Sequence, residues 1–356
     1  MQSAVKNVSD STLDEEIGVI QDYSRVKLFF ILGRGRSGTT LLRLILDNHP
    51  NLSVAPEALF VMNLCKRYAQ TEWNRKKILS FCDDLWLEKR LDQWNLNKTK
   101  LRQDLLDYEK KASFSDLCKI VYANYAFLQG KNGDVVLGDK NPNYLLVVNE
   151  LLNLFPDSKF IHMVRDPRDN ILSFQQVDFD VNGTSALAYR WKKCNEAVLR
   201  CSKEHPDQFL LLCYEDLMHD PTEHLNRICA FLEIDYDPGM LEFHKNQRFE
   251  RLQKGEWHES LRKPLNTGRS YRWKKEMKKS EVLKADYVSG KIVGELGYET
   301  TSPGSSLMLF IMTFPGVVYG WLLTFLERFI LILPFMKLRM SVINSYRSLT
   351  GIAKGE

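Results

Sequence analysis

The sequence predicts an α/β fold of three layers, with a central parallel sheet between two sets of helices. Three observations predict it. Val26–Leu32 (apolar apart from Lys27), Lys159–Val164 and Phe209–Tyr214 are strongly apolar runs of the kind found in strands buried on both faces. Each run is followed by a short turn and a stretch of helical periodicity, the alternation that joins parallel strands by right-handed crossovers. The chain has 356 residues, enough to bury one large core, with ordinary apolar (44%) and charged (26%) fractions.

In chain order, residues 1–25 are polar, show little periodicity and read as a poorly ordered lead-in without the apolar core of a signal peptide. After the strand at 26–32 comes Gly33-Arg34-Gly35-Arg36-Ser37-Gly38, a tight loop. From Thr39, Leu41, Leu42, Leu44, Ile45 and Leu46 suit a helix that Asn48-His49-Pro50 stops, because proline disfavours helical geometry in the residue before it. Residues 58–130 are helical in pattern and form an insertion or cap, whose Trp73, Trp86 and Trp94 either line an acceptor site or pack helix to core. A short strand at 135–138 ends in Asp139-Lys140-Asn141-Pro142, and a helix follows at 143–154. The strand at 159–164 runs into Arg165-Asp166-Pro167-Arg168-Asp169-Asn170 and a helix from Ile171. Another helix covers 184–205. The strand at 209–214 precedes a helix at 221–232, a basic surface loop at 250–275 and a last helix at 280–295.

The strand–glycine loop–helix at 26–47 aims backbone N–H groups and a helix dipole at one point, which suits an anion. Three chemistries compete for it. The Walker A spacing Gly33…Gly38 is present, but Thr39 stands where the lysine belongs. The dinucleotide fingerprint GxGxxG is matched literally by Gly33, Gly35 and Gly38, with Glu57 at the distance of a ribose-binding acid. The third is a P-loop-like loop that carries its own cation, Arg36, with Ser37 and Gly38 and the hydroxyls of Thr39 and Thr40. In an open α/β sheet, ligands bind at the carboxyl ends of the strands. Those ends here hold Arg36–Thr40, Asp139-Lys140, Arg165 and Tyr214. Ser173, eight residues after Arg165, could share one phosphate with it.

The string RSGTTLLRLILDNHP resembles the 5′-phosphosulfate loop of sulfotransferases that use 3′-phosphoadenosine 5′-phosphosulfate (PAPS), and is most similar to the tyrosylprotein enzymes and their bacterial relatives. VRDPRDNILS resembles their 3′-phosphate signature. The resemblance covers residues 26–298. It implies a PAPS donor and no metal, Glu57 as the base that takes the acceptor proton, and Lys140 facing the transferred group. Arg36 and the loop N–H groups would stabilise the same developing charge, with Tyr214 beside the nucleotide. Lys263-Pro264-Leu265-Asn266 with Arg272-Trp273 resembles the loop that closes over the nucleotide. Arg36 to Thr40, Arg165, Ser173, Tyr214, Lys263 and Arg272 are therefore the expected donor-binding residues. Trp257, with Ser260 nearby, stands where those enzymes use a serine. Val54 and Gly138 stand where they pair two cysteines. His49 caps or packs a helix end, or serves as base as histidine does in many other sulfotransferases.

Net charge is only +4, so no basic field points to nucleic acid. The seven cysteines are scattered without CxxC spacing, which argues against structural zinc and for reduced thiols in a cytoplasmic protein. Residues 299–356 extend beyond the resemblance. Ser305–Leu326 carries no charge and is long enough to cross a bilayer. Pro315-Gly316 should break it, and Lys337, Arg339, Arg347 and Lys354 follow. A bent or in-plane segment over 305–340, associated peripherally or monotopically with a membrane surface, keeps these cations at cytosolic headgroups. A spanning helix, or a hairpin buried against the protein or a second copy in a homodimer, are the alternatives. The expected activity is sulfuryl transfer to the hydroxyl of an acceptor, such as an amphiphile or lipid. An NAD(P)-dependent oxidoreductase and a membrane-tethered, non-catalytic nucleotide-binding protein are the rival readings.

Overall fold

The structure, a computed structural model, describes residues 22–177, 183–246, 263–301 and 304–333. Its centre is an all-parallel five-stranded sheet in the order β2-β3-β1-β4-β5. The strands are β1 (Leu28–Leu32), β2 (Leu52–Ala55), β3 (Val136–Lys140), β4 (Lys159–Val164) and β5 (Phe209–Cys213). Every residue of β1 is buried, because the strand lies between β3 and β4 and both its faces are covered. Side chains alternate across a strand. Leu28, Phe30 and Leu32 therefore pack under the layer built from α2 (Phe60–Tyr68), α3 (Arg75–Leu85), α4 (Lys98–Asp107), α5 (Phe114–Leu128) and α6 (Val148–Leu154). Phe29 and Ile31 point the other way, onto α1 (Thr39–Asp47), α9 (Tyr214–His219) and α10 (Pro221–Leu232). The insertion at 58–130 is thus the main layer of one face. Its tryptophans belong to that core: Trp94 is buried and Trp73 and Trp86 pack against it.

The strand β2 is absent from the expectation. It is four residues with a serine inside, too short for a pattern, and its strand character is imposed by neighbours. Val54 pairs with Gly138 of β3. The helix α1 grips the same residue: Arg43 donates to the Val54 carbonyl (3.0 Å) and the Asp47 carboxylate accepts from its N–H (2.9 Å). Other differences are at boundaries. Asp139 and Lys140 lie inside β3, and Tyr214 opens α9 rather than ending a strand. The helix α7 (Pro167–Phe174) starts before Ile171, with Pro167 at its first position and the Asp166 side chain accepting from the Arg168 N–H (2.9 Å). The helix expected at 280–295 is two, α12 (Lys279–Ser289) and α13 (Ile292–Glu295), divided at Gly290, whose φ of 64° lies in the left-handed region. The short α11 (Trp273–Glu276) precedes them.

The long α8 (Thr184–Glu204) returns the chain from β4 to β5. On it lies α14 (Leu307–Ile332), an unbroken helix of 26 residues with Pro315 inside it. This corrects the expected break. A proline in a helix costs ~3 kcal/mol, and close packing on α8 offsets it. A Cβ on Gly316 would stand 2.7 Å from the Ser185 Cβ, and one on Gly320 2.8 Å from the Ala186 carbonyl, so both positions have to be glycine. Arg190 and Glu327 pair across the same contact (2.5 Å). The expected lead-in up to residue 21, the cations from Lys337 onward, Trp257 and Ser260 lie outside the described residues.

Candidate active site

The carboxyl ends of the five strands converge on one edge of the sheet, and every expected site residue but two is brought to it. The loop 33–38 after β1 closes on itself, with the Ser37 N–H on the Arg34 carbonyl (3.1 Å). Gly38 has φ 90°, and a Cβ there would lie 2.6 Å from the Tyr214 ring, so the loop and Tyr214 fit only through a glycine. No side chain caps the α1 amino end. Its first N–H groups stay available to an anion. Asn170 of α7 holds the loop from outside, donating to the Gly35 carbonyl (3.0 Å) and to Ser37 Oγ (3.1 Å). Sequence reasoning missed this residue, although it lies within the matched string RDPRDN.

Beside the loop, Arg36 bonds to a serine and lies within electrostatic reach of Arg165 and Arg269. Arg36, held in the left-handed region at φ 66°, donates from Nε to Ser173 Oγ (3.0 Å). Arg165 donates to the backbone carbonyls of Arg36 (3.2 Å) and Arg269 (2.7 Å) and stacks over the Tyr214 ring at 4.7 Å. Burial, then the charges of Arg165 and Arg269, press the Arg36 guanidinium below its usual value. Like charges this close repel, and an anion among them relieves the repulsion. The buried Arg165 Nε and Ser270 Oγ have no hydrogen-bond partner among the described residues and are donors open to such a group. Arg36 thus has a hydrogen bond to Ser173 and feels the charge of Arg165.

The other end of the site is built on Glu57, two residues beyond β2. Its carboxylate takes a short hydrogen bond from Lys140 Nζ on Oε1 and a salt bridge from Arg90 on Oε2 (2.8 Å). Lys140 is buried at the end of β3 and also donates to Thr40 Oγ1 in the first turn of α1 (3.1 Å). Burial raises the Glu57 carboxyl, but Lys140 and Arg90 outweigh it and hold it at about 2. Burial lowers Lys140 against the pull of Glu57. Below it, Asp139 accepts from the Tyr122 hydroxyl (2.5 Å), and burial pushes its carboxyl up to about 7. Arg90 was not foreseen. It comes from the insertion, 33 residues from Glu57, with no local signal.

Two expected donor ligands stand apart. Arg272 gives its guanidinium to Glu276 (2.8 and 2.6 Å), and Arg269 comes within electrostatic reach of Arg36. Lys263 is exposed where the described chain resumes. Trp273 is nevertheless pinned near the site, its N–H on Asp169 (2.9 Å) and its ring against Arg168 (3.6 Å). His49 is at the far end of α1, bonded to the Asp235 carbonyl (2.9 Å) and the Asn51 N–H (3.0 Å), and packs a helix end.

A sequence model described as the sulfotransferase family matches residues 29–238, more than half of the chain and nearly all of the sheet with its site. The chain belongs to the sulfotransferase family. Its curated relatives include the protein-tyrosine sulfotransferase of Drosophila melanogaster, 25% identical over 62% of this chain and 41% of that protein. The protein-tyrosine sulfotransferase 1 of Danio rerio is 27% identical over 60% of this chain and 55% of the relative, and that of Homo sapiens 26% identical over 76% and 70%. The chain thus spans about half the length of the fly and fish relatives. Among solved structures, the sulfotransferase domain from the curacin biosynthetic pathway superposes with a TM-score of 0.53 at 23% identity, covering 77% of this chain and 99% of that domain, and shares its fold. Family membership sets the oxidoreductase reading aside.

Proposed function

We propose that this sulfotransferase passes the sulfuryl group of PAPS to the hydroxyl of an amphiphilic acceptor at a membrane surface, with Glu57 as the base. One observation carries the reading: Lys140 Nζ donates both to the Glu57 carboxylate and to Thr40 of the anion loop, so base and donor site share one cation. The acceptor oxygen attacks sulfur and its proton passes to Glu57. The bond from sulfur to the bridging oxygen breaks, and 3′-phosphoadenosine 5′-phosphate leaves with that oxygen. Lys140 follows the charge from Glu57 to the leaving phosphate oxygen. A carboxylate held at about 2 is a weak base. Loss of its lysine partner raises its basicity at the moment the proton is transferred.

Arg36, Ser173, Arg165 and Arg269 would hold the 3′-phosphate, and Ser37 to Thr40 the 5′-phosphosulfate; both groups are anions that the unspent donors fit. Lys263 and Arg272 keep a role only if the loop moves onto bound donor. The amphiphilic acceptor is supported by α14, whose Leu307, Met308, Phe310, Ile311, Trp321 and Phe325 side chains are exposed. The seven cysteines are outside disulfides, which supports a reducing, cytoplasmic setting.

The test is label transfer from radiolabelled PAPS to a panel of hydroxylated lipids and soluble alcohols, with 3′-phosphoadenosine 5′-phosphate binding measured alongside. Glu57→Gln should cut transfer by about 10²–10⁴-fold and leave nucleotide binding intact. Equal transfer by both proteins would remove Glu57 from the mechanism. Transfer confined to soluble alcohols would remove the amphiphile.

A further inference from the structure

The membrane-facing surface can be located from the fold. The strands β4 and β5 are parallel, so the crossover between them starts at the carboxyl edge of the sheet and ends at the amino edge. The helix α8 therefore begins at the active-site end. Its first residue, Thr184, is bonded to Gln175 (3.3 Å), two residues past Ser173. Gly316 and Gly320 of α14 meet α8 at Ser185 and Ala186, in that first turn. Further along, Glu327 meets Arg190 and Leu331 enters the core of the insertion layer, so α14 runs in the same direction as α8. The stretch Leu307–Phe314 thus runs out past the start of α8, on the end of the molecule that holds Glu57 and Arg165. Leu307, Met308 and Ile311 are 76%, 70% and 63% exposed, the most exposed large apolar side chains described.

A second observation sits beside it. Met277 and Val317 pack in one cluster with Ile171 and Phe174 of α7 and Leu187 of α8. The junction of α11 and α12 and the amino half of α14 thus pack on the same cluster. That junction carries Lys274, Lys275, Lys278 and Lys279, all exposed and without a salt bridge to a described residue. The two acids on the same stretch are spoken for: Glu276 by Arg272 (2.6 Å) and Glu281 by Lys284 (2.7 Å). An apolar ridge flanked by surplus cations matches an anionic bilayer surface, with apolar side chains below the headgroups and ammonium groups among them. The packed face of α14, including Thr313, Gly320, Leu323 and Leu331, is covered by the enzyme. The docking reading takes α14 to stay on the enzyme along this face.

We propose that Leu307–Phe314 and the lysines at 274, 275, 278 and 279 form one docking surface for anionic lipid, on which the enzyme lies with its active-site end toward the membrane. This rests on the amphiphile reading for the acceptor, but the surface itself is tested without any acceptor. The full chain is sedimented with vesicles of phosphatidylcholine alone and with phosphatidylglycerol added. Wild type should bind both and prefer the anionic vesicles. The variant Lys274→Gln/Lys275→Gln/Lys278→Gln/Lys279→Gln should lose that preference, about a hundredfold or more in partitioning, and keep its binding to neutral vesicles. The four Lys→Arg replacements should restore it. Leu307→Ser/Met308→Ser/Ile311→Ser should weaken binding to both. Titration with 3′-phosphoadenosine 5′-phosphate, unchanged in each variant, shows that the site is folded and separates failure of the surface from failure of the transfer reading. Equal binding to both vesicle types overturns the lysine assignment. Wild type that ignores vesicles but forms a dimer abolished by the serine variant makes the ridge a contact between copies instead.

Discussion

The two ends of the active site balance their charge in opposite ways. Around Glu57 the chain supplies its own counter-ions: one carboxylate lies between Lys140 and Arg90, and the group is satisfied before any ligand arrives. Around Ser173, no salt bridge to a described residue holds Arg36, Arg165 or Arg269, and Asp169, which feels the charge of Arg165, takes the Trp273 backbone N–H on one oxygen. A self-neutralised centre has little affinity to offer and is shaped for a step in which its charges rearrange. An uncompensated one is strained until an anion enters, and that relief appears as binding. Affinity and turnover should therefore separate by residue.

The largest break in this contrast should come from Arg165→Met. It removes a buried cation and its bonds to two carbonyls, and 3′-phosphoadenosine 5′-phosphate affinity should fall about 10–100-fold, measured by calorimetric titration. Unchanged affinity would place the nucleotide elsewhere. Next, Arg269→Gln and Arg272→Gln form a matched pair. The first should weaken the same binding roughly fivefold, while the second should change little, since an exposed pair such as Arg272–Glu276 contributes at most ~1 kcal/mol. A larger effect at Arg272 would mean that the loop closes on the nucleotide as the family resemblance implied.

Arg90→Met sharpens the other end. Removing one of the two cations that hold Glu57 at about 2 lets its carboxyl rise toward the ordinary range. The acid limb of kcat/KM against pH should then move to higher pH; an unmoved limb would mean that Arg90 does not act on the base. The smallest effect is on stability. Burial raises Asp139 to about 7, so the folded chain favours its protonated form. That contribution is complete below the ordinary carboxyl value of ~4 and is lost as pH rises through about 7. Asp139→Asn should flatten this part of the curve of Tm against pH, with Glu215, also raised to about 7 by burial, keeping some slope.

The parallel sheet and the glycine loop were legible in the sequence because each is local. Apolar runs show buried strands, and glycines at fixed spacing show a tight loop. Membership in the family followed from those same strings. Tertiary structure decided what depends on residues meeting from afar. The strand β2 exists because Arg43 and Asp47 of a neighbouring helix hold it, and Glu57 is positioned only through that strand. Arg90 reaches Glu57 from another layer, Arg269 comes within electrostatic reach of Arg36, and α14 survives Pro315 because two glycines let it lie on α8. In each of these cases the free energy comes from contacts between segments distant in the chain. No window of sequence contains both partners, so periodicity and spacing carry no trace of them.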